Sequence, residues 1–89
     1  MLTIDDDILL IIHRIWVLKE KASTYAEICD AYKKKYPKTT IRDSSLERRI
    51  RNLASKGRLI RANIGGQALF APLSAKEFQI STWARNELI

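Results

Sequence analysis

Side chains with chemistry to offer crowd into about a third of this sequence. Residues 33–61 hold eleven basic groups (Lys33, Lys34, Lys35, Lys38, Arg42, Arg48, Arg49, Arg51, Lys56, Arg58 and Arg61) against two acids, Asp43 and Glu47, for a net charge of +9, while the other sixty residues carry a net −3. Ser44, Ser45, Arg48, Arg49, Arg51 and Asn52 fall close together inside that segment. An arginine fork fits the O6 and N7 acceptors of guanine, an asparagine amide fits N6 and N7 of adenine, and serine hydroxyls suit either. Lys33, Lys34, Lys35, Lys38, Thr39, Thr40 and Arg42 are of the types that hold phosphates, which fix a register without reading a sequence. A basic solvated face also simply keeps a protein dissolved, so position on the fold has to decide between the two readings.

Other reactive types are isolated. His13 has no second histidine and only one cysteine in the chain to join it, so a metal site is not expected. Cys29 has no base but His13 to activate it and reads as a small buried hydrophobe, or, being unpaired in the chain, as a partner for the same residue of a second copy. Asp5, Asp6 and Asp7 follow one another on a helix start, where they complement the positive end of the dipole and do not converge on one cation. Trp16 and Trp83 lie outside the basic segment and read as packing residues. With no Gly-rich phosphate loop, no ligand set and no nucleophile with its base, the sequence carries no catalytic signature, and neither enzyme activity nor a cofactor is expected.

Composition bounds the class. Eighty-nine residues, 46% hydrophobic and 29% charged, suit one domain with a modest core, and a net charge of +6 with pI about 9.8 favours an anionic partner. The acids at 5–7 ahead of the apolar stretch argue against a secretory signal, and His13 and Arg14 interrupt the longest apolar run short of a bilayer span. A single cysteine excludes an internally stapled scaffold, so an intracellular, cytoplasmic protein is expected, in the host cytoplasm if the source is viral.

The elements that must position the basic groups follow from local signals. Acids behind Thr3 open a first helix over residues 5–19 whose apolar residues run almost all round its circumference. Thr24 and Glu27 form a capping box for a second helix, with Tyr25, Ile28 and Tyr32 inward and Pro37 at its end. Asp43 caps a third helix with Leu46, Ile50 and Leu53 on its buried stripe, stopped by Gly57. That stripe turns Ser45, Arg48 and Asn52 toward solvent, with Ser44 and Arg51 beside them. Gly65-Gly66 turns a hairpin in which Ile64 pairs with Gln67, Ala62 with Leu69 and Ile60 with Ala71. This register puts Ile60, Ala62, Ile64, Leu69 and Ala71 on one face, expected to pack on the helices, and Arg61, Asn63, Ala68 and Phe70 on the other. Arg61 then either stacks on Phe70 or reaches a phosphate. Ser74 to Glu77 is a second capping box, opening a terminal helix over 74–89 with Phe78, Ile80, Trp83 and Leu88.

Helix, capped helix, helix with Leu46, Ile50 and Leu53, then Gly57-Arg58-Leu59-Ile60 running into a hairpin: over residues 3–73 this order resembles the winged-helix DNA-binding domain. The stretch 44–60 resembles the family's recognition helix, its glycine stop and its first wing strand. Size, twelve Ile against one Val and the terminal helix resemble the small dimeric MarR-like regulators of archaea and their viruses. Two departures stand out. Residues 36–42 exceed the three or four of a strict helix-turn-helix, and Gly65-Gly66 implies a short wing without a basic tip.

The resemblance implies an α+β, mostly α, winged helix-turn-helix fold with an added C-terminal helix, one domain over 1–89. It implies a sequence-specific double-stranded DNA-binding protein, a transcription regulator that reads the major groove with helix 43–56. A winged-helix module that binds a partner protein within a transcription or other assembly is the alternative. The apolar excess of the first helix, with the terminal helix, implies a homodimer through those two elements, or a terminal helix folded back over the first within one chain.

Overall fold

Three consecutive acids begin the first helix, and the fold puts each to a different use. The structure, a computed structural model, describes residues 2–75. Of the expected terminal helix, residues 76–89 with Phe78, Ile80, Trp83 and Leu88 lie outside the described residues. Helix α1 spans Ile4–Lys19, and Asp6 completes a capping box: the Thr3 hydroxyl accepts from the Asp6 amide at 3.1 Å and the Asp6 carboxylate accepts from the Thr3 amide at 3.1 Å. It ends at Glu20, whose φ of 52° is left-handed and whose amide donates to the Trp16 carbonyl.

Helix α2 spans Tyr25–Lys35 behind the Thr24–Glu27 capping box, as expected. Helix α3 spans Asp43–Ser55, and here the expected cap is displaced. Arg42 occupies the cap position without a side-chain bond, and Asp43 stands in the first turn with its carboxylate on Lys33 of α2. Gly57, at φ +74°, closes the other end: its amide donates to the Ala54 carbonyl and that of Arg58 to the Leu53 carbonyl, the paired bonds of a Schellman motif.

Strands β1 (Leu59–Ile64) and β2 (Gln67–Pro72) form an antiparallel hairpin in the expected register. Gly65 and Gly66 have φ of +59° and +78°, the conformation that a two-residue turn matched to strand twist demands. The α1–α2 connection adds a further pairing that sequence periodicity did not reveal. Ser23 and Phe70 exchange both backbone hydrogen bonds at 2.8 Å, which ties the hairpin to the helices.

The result is a mostly helical α+β arrangement of three helices followed by a two-stranded sheet. Its core joins Ile8, Ile11 and Ile12 of α1, Ile28, Cys29 and Tyr32 of α2, Leu46, Ile50 and Leu53 of α3, and Leu59 and Phe70 of the hairpin. The expected orientation of the hairpin is corrected here. Phe70, assigned to the outward face, is fully buried and meets Tyr25 edge-on at 4.9 Å. Leu69 and Ala71, with Ile60, Ala62 and Ile64 alongside, instead form a second, smaller cluster with Trp16, Ala22 and Ala75. Both faces of the hairpin therefore bury apolar side chains, Phe70 in the main core and Leu69 and Ala71 in the smaller cluster.

Asp7 is the one charged side chain buried among the described residues, 3% exposed. Its carboxylate accepts from Lys35 Nζ and from the Tyr36 hydroxyl, each at 2.6 Å, and so joins the start of α1 to the end of α2. The bond from Lys35, then that from Tyr36, holds the Asp7 carboxyl below the usual carboxylate range despite burial. A folded-state pKa lowered from 3.8 means that the pair's stabilisation is complete above the unfolded value and is lost as pH falls through the lower folded one. Lys35 is half-exposed, which places Asp7→Asn at about 1–2 kcal/mol of lost stability at neutral pH. Denaturant titrations of both proteins should show that deficit constant from about pH 5 to 8 and shrinking below about pH 4; a deficit that is the same at all pH values would mean that the carboxylate charge does not stabilise this junction.

Candidate nucleic-acid interface

Helix α3 has the strongest division between faces among the described helices: Leu46, Ile50 and Leu53 are buried, while Ser44, Ser45, Arg48, Arg49, Arg51 and Asn52 are all exposed. Three- and four-residue spacing lines up Ser45, Arg48, Arg49, Asn52 and then Lys56 along the outer face. Together with Asp5 from the start of α1, these five line one shallow depression. Ser44 and Arg51 are not among its walls.

The side chains expected to hold phosphates do not form one group. Lys33, Lys34 and Lys35 sit on successive positions of α2 and therefore diverge by about 100° each. Lys33 pairs with Asp43 of α3, and Lys35 with Asp7 of α1 while lying 5.5 Å from the centre of the Tyr36 ring. Lys34 lines a separate groove between α1 and α2 with Ile15, Lys19, Glu27, Asp30 and Ala31. The hydrogen bonds from Lys33 and Lys35 to these carboxylates raise the pKa of both amines, which stay cationic.

Beyond α2, Lys38 and Thr39 border an apolar groove with Tyr32, Lys35, Tyr36 and Pro37. The Thr39 hydroxyl accepts from the Ile41 amide at 3.3 Å, a local bond that stiffens the connection before α3. Thr40 and Arg42 are exposed on the same connection. Arg61 stacks over Phe70, its guanidinium carbon 5.8 Å from the ring centre. The stacked alternative for Arg61 is thus the one that the structure adopts. Among the described residues, Lys38, Arg42, Arg48, Arg51 and Lys56 take part in no ion pair.

Two residues of this surface, Lys56 and Asp5, are not among those expected to face DNA. Lys56 counts in the basic segment, but only the helix's last turn brings it into the depression. Asp5 reads as a dipole-complementing acid, yet its carboxylate accepts from Arg49 Nη1 at 3.3 Å across 44 residues of chain. No local pattern encodes such a pairing; it depends on the packing of α1 against α3.

The remaining reactive types take structural places. Cys29 is a buried free thiol whose pKa is pushed up to about 11 by burial first and by the charges of Asp43 and Glu47 next, so pairing with a second copy finds no accessible sulfur. His13 is exposed beside an apolar groove lined by Leu9, Leu10, Arg58, Leu59, Pro72, Leu73 and Ser74. No cluster of three metal-ligating side chains occurs among the described residues, and none of their helices is long and apolar enough to cross a membrane. Set against protein-family models, curated proteins and solved structures, the chain matches none.

Proposed function

We propose that this chain is a winged-helix protein that binds double-stranded DNA sequence-specifically and regulates transcription, without catalytic activity. One observation carries the reading: the exposed row Ser45, Arg48, Arg49, Asn52 and Lys56 on α3 lies inside the segment of net charge +9. A 13-residue helix is about 20 Å long and, with its side chains, about 10–12 Å across, which fits a major groove about 12 Å wide. Arg48 and Asn52 are one turn apart on that row and suit guanine and adenine edges respectively. Arg42 and Lys38, exposed just before α3, would meet the flanking phosphates. The glycine turn of the hairpin offers no cation for a neighbouring groove, so α3 supplies the readout.

Binding to duplex DNA with competitor present tests this directly, because affinity for a polyanion falls linearly with salt on logarithmic axes. A salt-insensitive complex, or none, would favour the partner-protein reading of the same fold. On a selected site, Arg48→Ala and Asn52→Ala should each cost about 1–3 kcal/mol and relax the preference at one position, while Arg42→Ala should weaken every duplex alike. Equal losses on selected and random DNA for all three would remove readout from α3.

The proposed assembly is a two-fold dimer through α1. Leu10, Val17 and Leu18 are 48%, 57% and 73% exposed, and Leu10 and Val17 lie two turns apart on one stripe. Two copies joined there would offer two α3 helices to half-sites about 34 Å apart. Light scattering at micromolar concentration should give a dimer for the parent and a monomer for Val17→Glu; a monomeric parent would refute the dimer.

A further inference from the structure

The three acids that open α1 have three fates, and that of Asp5 lies on another helix. Asp6 closes the capping box and Asp7 is buried under Lys35 and Tyr36. Asp5 does neither. It reaches across to α3 and accepts from Arg49 Nη1 at 3.3 Å, with both side chains part-exposed. It is also the one acid in the wall of the depression formed by Ser45, Arg48, Arg49, Asn52 and Lys56. A carboxylate amid three cations on a surface that meets a polyanion repels phosphate and weakens indiscriminate binding. It therefore needs a reason to be there.

Resting on the DNA-binding reading above, we infer that Asp5 and Arg49 act as a unit that selects one G·C base pair. A G·C pair shows the major groove two acceptors, guanine O6 and N7, beside one donor, the cytosine amino group at N4. The Arg49–Asp5 couple presents donors beside an acceptor. Arginine has five N–H donors, so the bond to Asp5 leaves enough for a fork onto guanine, and the carboxylate retains lone pairs for the cytosine amino group. The same bond holds the Arg49 side chain over the depression and reduces the rotamer freedom lost on binding. An A·T pair places an amino group or a methyl where this couple needs acceptors, and a phosphate meets the Asp5 charge. Asp5 thus acts by exclusion as much as by attraction.

Selection of bound duplexes by the full-length parent and by Asp5→Asn, Arg49→Lys, Arg49→Ala and Asp5→Ala/Arg49→Ala tests the inference, with thermal melting to establish that each variant is folded. Asp5→Asn should bind random DNA several-fold more tightly and lose about ten-fold of its preference at one G·C position. Arg49→Lys keeps its charge but loses the fork, and should lose the preference at that same position with random binding unchanged. In the double variant, removing Asp5 should change discrimination at that position no further than Arg49→Ala alone. If the parent shows no sequence preference, the DNA reading itself fails. If the parent is selective, and Asp5→Asn leaves every position unchanged or relaxes all positions equally, the Asp5–Arg49 inference is wrong and the DNA reading stands.

Discussion

A buried carboxylate has to be satisfied or neutralised, and Asp7 meets that demand with two partners from one place in the chain, Lys35 and Tyr36 at the end of α2. The rest of the arrangement depends on this junction. It stops α2 against the first turn of α1, ahead of Pro37, and so sets where the connection over residues 37–42 departs. That connection carries Lys38, Thr39, Thr40 and Arg42 and delivers α3 to the surface. Tyr36 also packs on Tyr32 at 5.0 Å between ring centres, so the polar junction and the apolar core share a side chain. A one-sided loss there would loosen the core and displace the candidate interface together.

Electrostatics organises the same region at a larger scale. Eleven cations within residues 33–61 would repel one another if left uncompensated, and the acids paired with them are Asp5 and Asp7 of α1 and Asp43 within the segment itself. The relief is selective. Lys33, Lys35 and Arg49 are paired, while Arg48, Lys56, Arg42 and Lys38 are in no ion pair among the described residues. Lys33 and Lys35 tie α2 to its neighbours, whereas Arg48 and Lys56 beside the outer face of α3, and Arg42 and Lys38 on the connection, stay available to an anion. The exposed pairs Lys33–Asp43 and Arg49–Asp5 are individually weak, so their placement bears on binding more than on stability.

What could be read in the sequence is what local chemistry decides. The Thr24–Glu27 box, the Gly57 stop and the Gly65-Gly66 turn each involve partners within a few residues, and all three occur as the spacing implies. The buried stripe Leu46, Ile50 and Leu53, and with it the outward set on α3, follows from helical periodicity alone. Errors begin where a partner is distant. Asp43 has the chemistry of a cap, but Lys33 on another helix claims its carboxylate. Phe70 alternates with outward residues, but the α1–α2 connection pairs with it and covers it. The lysine run at 33–35 reads as one patch, and helical geometry divides it among three surroundings. Asp5 against Arg49 is a further such case, spanning 44 residues.

The central claim is that the outer face of α3 and the connection before it meet a DNA duplex. Amide NMR of the full chain, titrated with a short duplex carrying a selected site at moderate salt, addresses that claim residue by residue. Shift changes should concentrate on Lys38 to Lys56, strongest at Ser45, Arg48, Arg49 and Asn52, with α1 perturbed only near Asp5. Changes centred on the exposed Leu10 and Val17 stripe, or none at all with saturating duplex, would contradict it.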